Sequence, residues 1–296
     1  DEIYEAAVAP EFWPAVLQRV ATASGSHAGG LIAATAQRNL RGIATEAYRP
    51  TYESFARGES SRYENIRARR AVARRHQGFL RDIDLCTLEE LRVDPLYRNF
   101  LWPFGLGWTV GTLINIPTAD TIIFDFARRI DDGPFDVDQV EILDGYRPHL
   151  ARAAYMSARL GLERARSMTE AMTAMGVPAA VIGARGEPIV ANSAYDRLSA
   201  RIEPVMFDKQ VGVALFGPGA GDRAAPSSRS FPIIGDENSP SLVVHVLPVR
   251  RSALDIFTGA AAITMITPVA APTVPPAEII SALFDLSAAE ARVARA

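Results

Sequence analysis

Apolar residues in the first half of the chain follow two spacings, one helical and one strand-like. The residues Trp13, Val16, Leu17, Val20 and Ala21 recur every three or four positions, which predicts an amphipathic helix that begins near Pro10. Short apolar runs predict strands at 30–34, 43–47, 79–83, 107–116 and 121–128. The last two strands should form a hairpin, because the turn residues Pro117 to Asp120 separate them. Between the strands, helices are expected at 51–57, 61–75 and 94–104.

The second half of the chain begins with a long helical pattern. It starts at Asp136, runs past Leu150 towards Leu162, and should kink or restart near Arg147 because Pro148 removes a backbone hydrogen bond. A strand at 177–183, a tight turn, a strand at 188–192 and a helix capped by Asn192 or Ser193 follow. Further strands are expected at 211–216, 231–234, 242–249 and 260–267. The Pro-rich stretch 268–276 is typical of a linker.

Composition narrows the class of protein. At 296 residues the chain is long enough for two domains, and 48% hydrophobic residues suffice for packed cores. A net charge of −3 argues against a broad nucleic-acid-binding face. The only cysteine, Cys86, excludes an intrachain disulfide and fits a reducing compartment. With no stretch long enough to span a bilayer, we expect a soluble cytoplasmic protein without a membrane partner.

The C-terminal residues carry a helix start without a helix end. Ser287 and Glu290 have the spacing of a capping box, and no Gly, Asn or Pro follows. The phrase LSAAEARVARA resembles the opening helix of the LuxR-type helix-turn-helix domain. This resemblance implies a transcriptional regulator whose DNA-reading helix would follow this point. We therefore expect DNA to be a partner through a domain absent from this chain.

Two further resemblances concern the preceding residues. The run DPLYRNFLWPFGLGWTVGTL and the order of elements around it resemble the GAF-like sensor found ahead of LuxR-type domains. The strand, turn, strand, Asn and helix that begin near Val177 resemble the start of a PAS domain. Together they imply an α+β fold in which each sensory domain is an antiparallel sheet flanked by helices. We expect a GAF-like domain at 1–160, a PAS-like domain at 161–270, and a linker with the first helix of an incomplete helix-turn-helix at 271–296.

Catalytic and metal-binding patterns are absent from the sequence. The four histidines are scattered, and no pair has the spacing of metal ligands. No nucleophile elbow accompanies the Ser26-His27 pair. We therefore expect a ligand-sensing region and not an enzyme, with no cofactor and no metal. The alternatives are a sensory fragment of a signalling enzyme and a dimerisation scaffold without a ligand.

The basic run from Arg62 to Arg81 allows two interpretations. An anionic effector would be contacted by one or more of four arginines, Arg69, Arg70, Arg74 and Arg75. Alternatively the run is a solvated helix face with three residues turned inward, Tyr63, Ile66 and Ala73.

The strongest candidate for a ligand site is a group of aromatic residues beside three glycines. It consists of Tyr97, Phe100, Trp102, Phe104 and Trp108. Aromatic walls near the backbone of Gly105, Gly107 and Gly111 would suit a small effector between helix and strand. The alternative is ordinary core packing.

A second copy of the chain is the remaining expected partner. Small and flexible apolar residues recur on one face of the region from Leu150 to Met175, which favours a homodimer through that helix. The alternative is that this face packs only on its own sheet.

Overall fold

The computed structural model describes residues 1–34, 40–116, 121–183, 186–199, 228–235, 240–249, 256–269 and 276–295. Its helices are α1 (Glu2–Val8), α2 (Trp13–Ala23), α3 (Arg49–Ala56), α4 (Ile66–Arg74), α5 (Asp82–Leu85), α6 (Leu88–Val93), α7 (Val137–Ala174), α8 (Ser193–Ser199), α9 (Ala277–Phe284) and α10 (Ala288–Arg295). Its strands are β1 (Ala28–Ala34), β2 (Leu40–Ala44), β3 (Leu80–Arg81), β4 (Leu106–Asn115), β5 (Thr121–Arg129), β6 (Ala179–Gly183), β7 (Pro188–Ala191), β8 (Arg229–Ile233), β9 (Leu242–Pro248) and β10 (Ala260–Pro268). The predicted strand at 211–216 and the turn at 117–120 lie outside the described residues.

The described strands form two antiparallel sheets with helices packed against them, which confirms the α+β class. The first sheet has the order β2-β1-β5-β4-β3, and the second has the order β7-β6-β10-β9-β8. In each sheet the last strand of the unit pairs with its first strand, β5 with β1 and β10 with β6. The first and last strands of each unit therefore lie side by side. Strand β1 is buried along most of its length, and about half of the residues of β4 and β5 are buried, as expected for a sheet covered on both faces.

One face of the first sheet is covered by α1, α2 and α7. The predicted stripe of α2 is buried there, with Trp13 and Leu17 fully enclosed. Trp13 packs against Phe124 of β5 with ring centroids 5.8 Å apart. Helix α1, which the hydrophobic pattern does not predict, is fastened to α7 by a hydrogen bond from Ser157 Oγ to the Ala7 carbonyl at 3.2 Å.

The opposite face of the first sheet is covered by α3 to α6 and two tight turns, and we call it the crossover face. The predicted helix at 94–104 consists of a π-helical turn, Tyr97–Leu101, followed by a 3₁₀ turn, Trp102–Phe104. The prediction missed α5 and α6, two short helices between β3 and this segment. Helix α6 starts at a capping box in which Thr87 and Glu90 bond each other's backbone amides.

Helix α7 differs from the sequence prediction. We expected a kink or restart near Arg147, but one helix of 38 residues runs through Pro148 to Ala174. Pro148 removes one backbone hydrogen bond, whereas the flanking residues Leu143, Leu150 and Ala153 are fully buried. Burial on both sides of the proline therefore keeps the helix continuous. The helix also crosses the predicted domain boundary at 160/161 and contacts β6 and β7.

The second sheet has a smaller core and a capped helix beside it. Asn192 caps α8, as predicted, by accepting a hydrogen bond from the Tyr195 amide at 2.9 Å. Its side-chain nitrogen donates to the Val177 carbonyl at 2.9 Å, which ties the helix start to the entry of β6. Tyr195 is 2% exposed and packs in the core of this unit, among residues that include Ile182, Val244 and Val246.

Residues between β9 and β10 insert into the core of the first unit. Phe257 is 1% exposed, and its ring lies 5.8 Å from that of Trp13. The Arg41 Nε of β2 donates to the Ile256 carbonyl at 3.1 Å. A Cβ at Gly161 of α7 would collide with Thr258, so the glycine permits this close approach. The two units therefore share a hydrophobic core through Phe257 as well as through α7.

Truncating this shared ring is expected to be costly. Replacing Phe257→Ala should lower the free energy of unfolding by about 3–5 kcal/mol, because it leaves a cavity beside Trp13. The matched control is Phe284→Ala, since Phe284 is 69% exposed and should change stability by no more than about 0.5 kcal/mol. Urea unfolding followed by tryptophan fluorescence measures both. Equal effects of the two substitutions would show that Phe257 is not part of the core.

Candidate functional site

The centre of the crossover face is a cross-strand row in which two glycines flank one carboxylate. Asp125 of β5 lies opposite Gly30 of β1 on one side and opposite Gly111 of β4 on the other. Ala44 and Leu80 continue the row on β2 and β3. Asp125 is 6% exposed, so an acidic group is buried at the middle of the sheet. Such a group must be compensated, because the desolvation of an unpaired charge costs several kcal/mol.

Two side chains from the crossover compensate Asp125. The Tyr48 hydroxyl donates to Asp125 Oδ2 at 2.6 Å, and its ring lies over Gly30. The guanidinium of Arg67 lies 3.5 Å from Asp125 Oδ1, and the Arg67 side chain is 18% exposed. Arg67 is placed by α4, which begins at Asn65, whose side chain accepts a hydrogen bond from the Ala68 amide. The helix start therefore positions the arginine over the sheet.

A second buried carboxylate lies beside this pair. Asp82, the first residue of α5, is fully buried. It accepts hydrogen bonds from the Ile83 amide at 2.8 Å, the Thr109 amide at 2.9 Å and the Tyr97 hydroxyl at 3.1 Å. Asp82 thus links α5 to β4 through the hydrogen bond from the Thr109 amide. We call the group of Tyr48, Arg67, Asp82, Tyr97, Thr109 and Asp125 the buried polar cluster.

Burial and mutual charge shift the pKa values of this cluster. Burial, and then the Asp125 carboxylate, raise the pKa of Tyr48 well above its ordinary 10.0. Burial also raises the pKa of Tyr97 and of Asp82, although the Thr109 amide and Arg67 partly offset the rise at Asp82. Burial tends to lower the pKa of Arg67, but the surrounding acidic groups, Asp125 first, outweigh it and raise that pKa. Arg67 therefore stays protonated.

The predicted aromatic residues lie at the edge of this cluster. Tyr97 and Phe100 are buried, Trp102 is half-buried, and Phe104 is 39% exposed. Phe100 contacts Phe104 edge to face at a centroid distance of 5.6 Å and Phe55 of α3 at 6.2 Å. The structure thus brings four of the five residues together on the crossover face. The hydroxyl of Tyr97 donates a hydrogen bond to Asp82.

Trp108 occupies a different position from the other four. Strand alternation places it on the same side of β4 as Val110, which packs in the core beneath α7. Its half-buried ring contacts both cores, and its Nε1 donates to the Ile130 carbonyl at 3.1 Å.

Three of the four arginines proposed for an anionic effector have partners on the surface. Arg70 donates to both carboxylate oxygens of Glu90 at 2.9 and 2.7 Å, and Arg69 pairs with Glu64. Arg74 donates to the Asp84 carbonyl at 2.5 Å. Arg75, which ends the helix in a left-handed conformation, is exposed. The expectation that Ala73 faces inward is wrong: Ala71 is buried instead, and Arg67, one turn earlier, faces the sheet.

The sequence analysis did not identify most of the buried polar cluster, although one member, Asp125, stands out in the sequence. An acidic residue within the apolar strand TIIFDFAR is a buried-charge pattern, and it marks Asp125 as needing a partner. The sequence does not distinguish Arg67 from its neighbours, because five arginines lie within nine residues of one helix and its end.

Within the described ranges, no three His, Cys, Asp or Glu side chains converge in a way that could hold a metal ion. No helix among the described residues is long and apolar enough to cross a membrane. An open apolar groove between α1 and α7 is lined by residues that include Tyr4, Val8, Phe12 and Met156.

Comparison with known proteins gives structural similarities only. No protein-family model matches the chain, and no curated protein matches it. The ligand-binding domain of VqsR from Pseudomonas aeruginosa is 13% identical over 51% of this chain and 88% of that domain, with a TM-score of 0.42. The N-acylhomoserine-lactone-dependent LuxR-family transcription factor CepR2 from Burkholderia cenocepacia is 13% identical over 53% and 95%, with a TM-score of 0.38. Escherichia coli SdiA is 14% identical over 54% and 74%, with a TM-score of 0.33.

The tyrosines of the cluster should make the fold sensitive to alkaline pH. A tyrosine whose pKa is raised on folding contributes stability below its unfolded pKa, here 10.0, and loses it as the pH rises further. We therefore expect the free energy of unfolding to fall more steeply for the native chain than for Tyr48→Phe between about pH 9 and 11. Urea unfolding at successive pH values measures the slopes. Parallel slopes would contradict the burial of a neutral Tyr48.

Proposed function

We propose that this chain is the ligand-sensing and dimerisation region of a LuxR-type DNA-binding transcriptional regulator. The observation that carries the proposal is the buried polar cluster on the crossover face. Two carboxylates and a guanidinium are costly to desolvate, and apolar residues would stabilise the same sheet at least as well. Polar groups that converge within an apolar surround are typical of sites that fix the orientation of a small molecule.

The aromatic residues complete the proposed site. Phe100, Trp102 and Phe104 provide apolar surface at its rim, with Tyr97 reaching from that rim to the polar cluster. Phe104 is 39% exposed and the Arg67 side chain is 18% exposed, so solvent reaches both side chains. Trp108 supports the site from the other side of β4. An effector bound here would contact both the sheet and the short helices α3 to α6.

The remaining assignments follow the sequence resemblances. We assign residues 1–160 to a GAF-like sensor and 161–270 to a PAS-like domain, with α7 as their common element. We assign 271–296 to the linker and the first helix of a helix-turn-helix. The capping box at the start of α10 supports the last assignment: the Ser287 amide donates to Glu290 Oε2 at 2.9 Å, and the Glu290 amide approaches Ser287 Oγ at 3.4 Å.

A copurified small molecule would test effector binding directly. Native mass spectrometry of the purified chain should show a mass increment of a small organic molecule that disappears on denaturation. Phe100→Leu should reduce the occupied fraction, because it removes an aromatic wall while keeping apolar volume. Phe284→Leu, which alters an exposed ring outside both proposed surfaces, is the control. A chain that carries no increment, and whose stability no candidate effector changes, would favour the ligand-free scaffold.

The predicted dimer face of α7 is not free over its first turns, because Leu150, Ala153 and Ser157 are buried within the chain. The proposed dimer therefore uses exposed apolar residues of α1, of the turn after it and of another face of α7. Val8, Phe12 and Tyr155 are 53%, 50% and 43% exposed, and Met156 is 39% exposed. They line or border the open groove between the two helices. Large apolar side chains gathered in one surface groove are typical of a surface that packs against another molecule. An isologous contact would place this groove against its copy.

Charge placed in the groove should separate the copies. Light scattering at micromolar concentrations should give the mass of a dimer for the native chain and of a monomer for Met156→Glu, because a buried carboxylate would lack a partner. Val72→Glu is the control, since Val72 is 61% exposed on α4, away from the groove. A monomeric native chain, or a dimer that survives Met156→Glu unchanged, would contradict this interface.

A further inference from the structure

Arg67 is the least satisfied member of the buried polar cluster. Its guanidinium carries five N–H donors. Within the part of the chain that the structure describes, its only recorded partner is Asp125 Oδ1, at an ion-pair distance of 3.5 Å that is longer than a hydrogen bond. Arg70, three residues along the same helix, makes three hydrogen bonds, two to Glu90 and one to the Leu85 carbonyl. Arg67 therefore lies over the sheet with most of its donors unused by the described residues.

The carboxylate oxygens of the cluster accept more hydrogen bonds than the Arg67 guanidinium donates. Asp82 already receives three hydrogen bonds, from the amides of Ile83 and Thr109 and from the Tyr97 hydroxyl. Asp125 Oδ2 receives the Tyr48 hydroxyl at 2.6 Å. A ligand that offered only N–H or O–H groups could approach Asp125 Oδ1, but it would leave the donors of Arg67 without an acceptor. A ligand that offers an acceptor would instead complete the hydrogen bonding of Arg67.

Charge balance decides what kind of acceptor fits. The cluster contains two carboxylates, Asp82 and Asp125, and one guanidinium. A carboxylate or phosphate ligand would add a further negative charge beside two buried ones, and like charges at short range in a poorly solvated site repel strongly. An uncharged acceptor, such as the carbonyl oxygen of an amide, ester or ketone, satisfies Arg67 without that repulsion.

We propose that Arg67, held over the sheet by Asp125, is the recognition residue for an uncharged carbonyl group of the effector. The inference rests on the proposed function, because it assigns the polar part of the same site. It revises the expectation of an anionic effector gripped by the outer arginines of α4. The residues opposite Asp125 on β1 and β4 are the glycines Gly30 and Gly111. Across these three strands, Asp125 therefore provides the side chain at this position. Among the described residues, Arg67 thus has Asp125 as its nearest counter-ion and keeps donors that a ligand could use.

Matched small molecules that differ only in charge test this selectivity. Benzamide, benzoate and benzylamine share a phenyl ring, and hexanamide, hexanoate and hexylamine repeat the comparison on an aliphatic chain. Each is titrated at millimolar concentration into the ¹⁵N-labelled chain, with the Arg67 Nε–H resonance assigned from the spectrum of Arg67→Met. The two amides should shift this resonance, and they should bind at least about tenfold more tightly than the matched carboxylates and amines, the ratio expected for hydrogen bonds to a charged donor.

Two variants separate recognition from folding. Arg67→Met alone leaves Asp125 without its counter-ion, so the double variant Arg67→Met/Asp125→Asn removes both charges and keeps the side-chain volumes. The double variant should bind the amides at least about tenfold more weakly than the native chain. Arg69→Met, which removes an exposed arginine of the same helix, should leave amide binding unchanged.

The outcomes distinguish this inference from the proposed function. Stronger binding of the carboxylates or amines on the crossover face, or amide binding that the double variant retains, overturns the role of Arg67 but leaves the effector site in place. Compounds that shift only resonances outside the crossover face overturn both. A panel in which no compound moves the Arg67 resonance shows that the guanidinium is not available to ligands and overturns the inference.

Discussion

Helix α7 is the element on which the arrangement of this protein depends. Its N-terminal half closes one face of the first sheet with buried residues such as Leu143 and Leu150, and its C-terminal half contacts β6 and β7 of the second. A helix that breaks at Pro148 would leave the two units joined by a flexible segment. The burial of side chains on both sides of the proline opposes that break. The two sheets are therefore parts of one packed body, and Phe257 inserts a side chain of the second unit into the core of the first.

This shared core gives the proposed sensor a physical route to the rest of the chain. The crossover face and the α7 face belong to the same strands, so a shift of β4 or β5 on one side must be accommodated on the other. Trp108 contacts both cores, and Arg147 of α7 donates from Nε to Thr112 Oγ1 of β4 at 2.8 Å. Effector binding above Asp125 would thereby act on the helix that also carries the second sheet and the proposed dimer surface.

The buried polar cluster and the aromatic rim have different roles within this scheme. Aromatic surface provides affinity without much selectivity, because any apolar ligand of suitable size gains by covering it. Buried hydrogen-bonding groups provide selectivity, since a ligand that fails to satisfy them leaves a desolvated donor unpaired. A carboxylate at the centre of a sheet, paired with an arginine whose donors the described residues leave mostly unused, is a costly arrangement for stability alone. That cost is the reason to look for its use in binding.

The sequence by itself determined the elements whose information is local. Spacing predicts the apolar stripe of α2 and the strands β4 and β5. The capping box at Ser287 and the Asn192 cap follow from side chains that bond to neighbouring residues.

Tertiary structure decided what depends on distant partners. The pattern around Pro148 indicated a break, and only burial against the sheet kept α7 continuous. The run of arginines in α4 gave no means to select Arg67, because its role depends on Asp125, which lies 58 residues further along the chain (125 − 67) and meets it only when β5 pairs with β1 and β4. Local hydrogen bonds and periodicity can be read from a sequence, whereas the pairing of buried charges depends on which strands and helices the whole fold brings together.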